Sequence, residues 1–303
     1  MPPVGNALAA FYDAGMTNPA AAPAVPIVTS IEPFIGGVEA WICDIWGVVH
    51  NGVEAFPAAV DACVRFRQRG GTVILLTNAP RPAPAVEEQL AKLKVPRTAW
   101  DAVLTSGDLT LRLIAEHTGE PLHHLGPDRD RGLFESSKLD LVALDEARVI
   151  VCSGLLDDER ETADDYRARL AGPARRDVPM ICANPDVTVA RGNRVIPCAG
   201  ALAAVYENLG GRVIYAGKPY LPVYDRAFEM IAAARGKTVP KAAVLGIGDG
   251  VNTDIRGALT AGIRAVLVAS PVHLPEPLGP EILARVLAPL PGRPIAAMAA
   301  LAW

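Results

Sequence analysis

The feature that most constrains this chain is an alternation of short apolar runs with stretches of helical character. The runs lie at residues 40–43, 72–76, 102–104, 148–152, 180–182, 212–215, 242–247 and 265–268. Runs of this length without strict polar alternation suit strands covered on both faces, as the strands of parallel sheets are. Helical patterns occupy residues 57–69, 83–93, 109–117, 164–170, 221–235 and 254–261. Gly70, Gly119, Gly236 and Gly262 sit where helices of this kind stop. Alternating strands and helices predict an α/β fold with a doubly wound, parallel, Rossmann-like sheet.

The 303 residues are half hydrophobic, enough to fill one large core or two smaller ones. The middle of the chain differs in character, with a charged stretch at 157–165, the pair His123-His124 and a turn cluster at 126–128. We therefore expect an N-terminal arm over 1–30, a core domain assembled from 31–117 and 211–303, and an inserted α/β domain over 118–210. The Ala- and Pro-rich segment 20–26 reads as a tail leading into the fold.

Composition excludes several classes. A net charge of -4 and a pI near 5.8 oppose a nucleic-acid surface, which needs a basic patch or stripe. No apolar run approaches the ~18 residues that a membrane span requires. The N-terminus lacks a basic segment followed by an apolar one, so no secretory signal is expected. Five cysteines without a CxxC pair indicate neither a zinc site nor a disulfide framework. Reduced thiols fit a cytoplasmic protein.

In open α/β sheets ligands gather beyond the carboxyl ends of the strands. Run 40–43 exits into Asp44-Ile45-Trp46-Gly47-Val48, and run 72–76 into Thr77-Asn78. Run 212–215 leads to Gly217-Lys218-Pro219, and run 242–247 to Gly248-Asp249-Gly250 with Thr253-Asp254 beyond. Aspartates, a hydroxyl, an amide and a lysine should thus meet on one face. Carboxylates suit Mg²⁺, while lysine, hydroxyl and amide donors suit phosphoryl oxygens. Lys218 also stands near a helix start, where the macrodipole disfavours a cation unless an anion is bound nearby.

In order and strand context these four segments resemble the haloacid dehalogenase (HAD) superfamily. The turn His50-Asn51-Gly52, the segment Asn184-Pro185-Asp186 and the position of the inserted domain resemble its class IIA, NagD-like subgroup, from about Ile31 to Ala269. The resemblance implies a phosphatase in which Asp44 attacks phosphorus and forms an aspartyl-phosphate. It implies that Asp44, the Trp46 carbonyl and Asp249 hold Mg²⁺, with Asp254 behind them. Thr77, Asn78 and Lys218 would hold the phosphoryl oxygens, and Asp186, on a C2-type cap, would contact the substrate. It further implies a small phosphorylated metabolite as substrate and pairing of two chains through the cap.

One position departs from the family pattern. Where phosphatases of this family carry a second aspartate as general acid and base, this chain has Trp46, whose indole is a donor only. General acid–base catalysis is worth roughly 10²–10⁴-fold. Three readings follow: a phosphatase with a substitute acid or a good leaving group, a protein like the 2-haloacid dehalogenases with an aromatic residue here, or a phosphate-ligand binder with a weakened catalytic frame. The metal pattern of Asp249 and Asp254 and the place of the insertion favour the phosphatase.

Elsewhere the functional signal is weaker. His123 and His124 have no third ligand at metal-binding spacing and read as packing or surface residues. Asp157-Asp158-Glu159 reads as a solvated loop, Arg191 and Arg194 as surface arginines, and the Ala-rich C-terminus ending at Trp303 as packing or an interface.

Overall fold

The computed structural model describes residues 24–134, 139–191, 194–270, 274 and 277–303. Residues 1–23, most of the expected arm, lie outside the described residues. In chain order the strands are β1 Ile27–Val28, β2 Ala40–Asp44, β3 Thr72–Thr77, β4 Ala102–Thr105, β5 Leu122–Leu125, β6 Val149–Cys152, β7 Met180–Cys182, β8 Thr188–Arg191, β9 Arg194–Pro197, β10 Val213–Tyr215, β11 Val244–Gly248, β12 Arg264–Val268 and β13 Ala296–Met298.

The larger sheet has seven parallel strands in the order β1-β13-β12-β11-β2-β3-β4. Its strands are mainly apolar because both faces are covered. Ala40 and Ile42 of β2, Ile74 and Leu76 of β3 and Ala265 and Leu267 of β12 enter one core. The intervening Trp41, Cys43, Val73, Leu75, Val266 and Val268 enter the other. The two-residue period of a strand thus divides one apolar run between two helix-covered layers. Trp41 anchors its layer by stacking on Phe66 with ring centroids 4.1 Å apart.

From β2 the chain winds outward through β3 and β4, and from β11 it winds the opposite way through β12 and β13. The switch therefore falls between β2 and β11, where Ile247 is in register with Cys43. Asp44 and Asp249 leave the sheet beside each other at this crevice, the usual ligand position of such folds.

A second, four-stranded parallel sheet, β10-β7-β6-β5, and the antiparallel ribbon β8-β9 form the inserted α/β unit. Its core likewise splits by alternation, Ile150 and Cys152 to one side and Val149 and Val151 to the other. β10 belongs to this sheet, so its strands extend past the boundary expected at 210, and Lys218 enters the site from this sheet rather than from the larger one.

Some local expectations hold and others are corrected. The arm's end, Ile27–Val28, forms the edge strand, and Ala296–Met298 of the Ala-rich C-terminus lies between it and β12. Alanine carries no strand preference of its own, and pairing against β12 decides its conformation. His123 and His124 lie on β5, where His123 Nδ1 meets the Val142 carbonyl at 2.9 Å and His124 Nε2 meets Ser153 Oγ at 2.9 Å. Asp158, expected in a solvated loop, is buried and paired with Arg129. Arg194 is a surface residue 3.4 Å from Glu159, and all five cysteines are free and buried. Among the described residues no helix is long and apolar enough to cross a membrane.

Candidate active site

Asp44 is the last residue of β2, in register with Leu76 of β3, and its side chain is 7% exposed. Asp249 follows β11 directly. Asp254 lies in the π-helical turn Val251–Ile255, where its Oδ2 accepts from the Gly250 N–H at 2.9 Å. It therefore ties its own turn rather than capping the helix after it. One carboxylate oxygen from each of Asp44, Asp249 and Asp254 lies within 4.8 Å of the others.

Lys218 closes the cluster. Its Nζ donates to Asp44 Oδ1 at 2.5 Å, to Asp254 Oδ1 at 2.7 Å and to the Leu76 carbonyl at 3.2 Å. The cation stands two residues before Tyr220, the N-cap of helix Leu221–Arg235, and these carboxylates supply the anionic partner that the helix start calls for.

Asn78 fixes the lysine's backbone. Its Oδ1 accepts from the Lys218 N–H at 2.8 Å, and its Nδ2 donates to the Lys218 carbonyl at 3.1 Å. The same Nδ2 donates to Asp186 Oδ1 at 2.9 Å, joining the larger sheet to the inserted unit. Asn78 is thus a framework residue in this arrangement, its amide already engaged. Thr77 lines the pocket and accepts from the Ala79 N–H at 3.2 Å through Oγ1. Buried Ser106, which carried no sequence signal, donates to Asn78 Oδ1 at 3.3 Å.

Three buried carboxylates face a single ammonium here. Burial and the neighbouring charges of Asp254 and Asp249 push the Asp44 carboxyl well above its usual range, against the pull of Lys218. Burial and Asp254 raise Asp249 to about 7, against a hydrogen bond with Ser270. Burial works against the Lys218 charge, yet Asp254 and Asp44 outweigh it and hold the ammonium protonated. An excess of buried carboxylate over cation, with oxygens this close, fits a hard divalent ion such as Mg²⁺.

Trp46 borders the pocket, its ring packed edge-on to His50 at 5.2 Å and 78°. Burial lowers the His50 pKa to about 4, so the imidazole is neutral. Two glycines make this turn feasible. Gly47 has φ +84°, and a Cβ there would lie 2.1 Å from Asp249 Oδ2. At Gly52, φ +87°, a Cβ would lie 2.4 Å from the Trp46 indole.

The pocket holding Asp44, Lys218, Asp249 and Asp254 has a volume of about 40 Å³. It adjoins a cavity of about 470 Å³ lined by Arg81, Arg129, Asp130, Ser153, Asp158 and apolar residues of the ribbon. Arg81 comes from the loop after β3 and the other four from separate segments of the insertion, so no local pattern in the sequence groups them. Arg194 pairs at the surface, and the cavity draws instead on Arg81 and Arg129.

The chain is similar to known hydrolases. Two family models match, haloacid dehalogenase-like hydrolase over residues 41–139 and HAD-hydrolase-like over residues 215–288. A solved haloacid dehalogenase-like family hydrolase from Brucella suis 1330 is 45% identical, with a TM-score of 0.77 over 81% of this chain and 94% of that one. Ribonucleotide monophosphatase NagD of Escherichia coli (strain K12) is 27% identical over 235 residues, 76% of this chain and 87% of NagD. The p-nitrophenyl phosphatase from Archaeoglobus fulgidus, 20% identical, shares the fold with a TM-score of 0.65 over 87% of this chain and 96% of its own.

Proposed function

Because this chain belongs to the haloacid dehalogenase-like hydrolases, in their NagD-like class, we propose that it is a Mg²⁺-dependent phosphatase of small organophosphates that works through Asp44. The observation that carries this reading is the meeting of Asp44, Asp249, Asp254 and Lys218 in one buried pocket at the switch point of the sheet. Asp44, the Trp46 carbonyl and Asp249 would hold the Mg²⁺, supported by Asp254. The ion would neutralise phosphoryl charge and keep the buried carboxylates ionised.

Asp44 is the nucleophile. One of its oxygens bonds to phosphorus as the bond to the leaving oxygen breaks, which leaves the phosphoryl group on the aspartate. Lys218 supplies positive charge beside the attacking oxygen, and Asn78 keeps that lysine in place. Thr77 and Lys218 border the phosphoryl position. Water then attacks phosphorus, releasing phosphate and restoring Asp44. The adjoining cavity would take the body of the substrate, a sugar phosphate or a molecule of similar size and polarity. The name of the NagD relative, a ribonucleotide monophosphatase, supports a ligand of this kind.

The cluster of three carboxylates favours this chemistry over dehalogenation, in which halide leaves without a cation. The test is a panel of phosphate monoesters with and without Mg²⁺, together with a 2-haloacid. The expected result is ester hydrolysis that requires Mg²⁺ and falls at least ~10³-fold in Asp44→Asn. Hydrolysis that survives this substitution, phosphate-ester binding without turnover, or metal-free halide release would overturn the reading.

A further inference from the structure

Cleavage of a phosphate ester by a nucleophilic carboxylate needs a proton twice. The leaving oxygen must gain one, and the water that frees the aspartate must lose one. The indole at Trp46 can do neither. The titratable side chains of the small pocket are Asp44, Asp186, Lys218, Asp249 and Asp254. Four of them form the carboxylate–ammonium cluster, which leaves Asp186.

Its position suits the task. When the phosphoryl group occupies the small pocket and the body of the substrate the larger one, the ester oxygen lies where the two meet. Trp46, Thr77, Asp186 and Val189 line both. Of these, Asp186 alone carries a carboxyl, a group able to give and take a proton; a threonine hydroxyl does not act so, and valine carries no polar group.

The carboxyl is also held still. Its Oδ1 accepts from Asn78 Nδ2 at 2.9 Å on the side of the larger sheet, and its own N–H donates to Asn184 Oδ1 at 3.0 Å. From the inserted unit, the Gly200 N–H donates to the Asp186 carbonyl at 3.1 Å. A Cβ at Gly200 would lie 2.3 Å from the Pro185 carbonyl oxygen and 2.5 Å from that of Asp186, so helix Ala199–Asn208 presses directly on this turn. Asn78 binds both Asp186 and the backbone of Lys218, which couples the position of this carboxyl to the nucleophile's cation.

Resting on the reading of Asp44 as nucleophile, we propose that Asp186 is the general acid and base of this enzyme, donated by the inserted unit in place of the residue lost at Trp46. In the first step an Asp44 oxygen bonds to phosphorus, the bond to the alcohol oxygen breaks, and that oxygen takes the proton of the Asp186 carboxyl. In the second, Asp186 as carboxylate takes a proton from water while the water oxygen bonds to phosphorus. The phosphorus–Asp44 bond breaks, and Asp44 and protonated Asp186 are restored.

The experiment compares the parent enzyme, Asp186→Asn and Asp186→Glu on p-nitrophenyl phosphate and on an alkyl phosphate, with rapid mixing and Mg²⁺ present. Nitrophenolate leaves without a proton, so Asp186→Asn should release about one equivalent per enzyme in a burst, followed by a steady rate slowed ~10²-fold or more. On the alkyl ester the same variant should show no burst and a similar or larger loss in kcat with little change in KM. Asp186→Glu should restore part of both rates. To separate chemistry from folding and binding, the alkyl ester is titrated calorimetrically into Asp44→Asn and into the Asp44→Asn, Asp186→Asn double variant, with similar affinity expected. Equal losses on both esters without a burst, a change confined to KM, or lost ester binding would overturn the role of Asp186 and leave Asp44 standing. Turnover that survives Asp44→Asn, or a parent inactive on every ester, would overturn the reading of the site and this proposal with it.

Discussion

Lys218 and Asp44 stand 174 positions apart in the chain, yet Lys218 Nζ and Asp44 Oδ1 lie 2.5 Å apart in the fold. Their side chains are 5% and 7% exposed, and Asp254 Oδ1 contacts the same ammonium at 2.7 Å. A buried pair of this kind adds little net stability, but removing one partner strands the other in a medium that solvates charge poorly.

Lys218→Met is therefore expected to cost the metal-free protein about 3–5 kcal/mol, read from urea denaturation at pH 8. The loss should be smaller at pH 5, where the stranded carboxylates take up protons. Saturating Mg²⁺ should also reduce it, by supplying the missing positive charge. A loss unchanged by pH and metal would show that the lysine acts through its packing alone.

The raised pKa of Asp249 sets the pH dependence of metal binding. Burial and Asp254 lift this carboxyl from 3.8 to about 7, so the metal-free folded state holds a proton that the unfolded chain has released. Its contribution to stability is complete at low pH and is lost as pH rises through about 7. Mg²⁺ must displace that proton. Its apparent affinity should rise by about tenfold or more per pH unit below pH 7. Calorimetry in buffers of different ionisation enthalpy should show proton release below pH 7. A flat affinity between pH 5.5 and 7.5 would contradict the assignment of Asp249 as a ligand.

Gly47→Ala tests the loop that cradles the acidic cluster. The residue has φ +84°, and an added Cβ would lie 2.1 Å from Asp249 Oδ2. Backbone strain of about 1 kcal/mol or more is expected in thermal denaturation. Displacement of Asp249 should weaken Mg²⁺ binding by roughly tenfold or more, a measurable shift in a calorimetric titration. Gly36, where nothing lies within 4 Å of an added Cβ, serves as the control: Gly36→Ala should leave metal affinity unchanged.

How much of this was legible beforehand depended on which interactions specify each feature. The buried strands β2, β3, β11 and β12 announce themselves, since an apolar run covered on both faces leaves a local trace in the chain. Asp44, Thr77, Asn78 and Asp249 could be found because each directly follows such a run. Ala296–Met298 could not, because its strand state comes from pairing with β12. Asp158 looked like one acid among several in a charged stretch, and only the approach of Arg129 and the enclosure of the inserted unit set it apart. Lys218 also follows an apolar run, but that run is a strand of the second sheet, an assignment that only pairing with β7 decides.

The sequence by itself determined the alternation of elements, the doubly wound sheet and the identity of the groups at its strand exits, because these follow from local periodicity and from the order of the segments. Tertiary structure alone decided that Lys218 would neutralise Asp44 and Asp254, that Asn78 would bind Asp186, and that a 40 Å³ anionic pocket would open into a 470 Å³ one. Those relations join residues as much as 174 positions apart. They arise where loops of the inserted unit meet the strand exits of the larger sheet, and no local pattern in a chain encodes the distance between its remote parts.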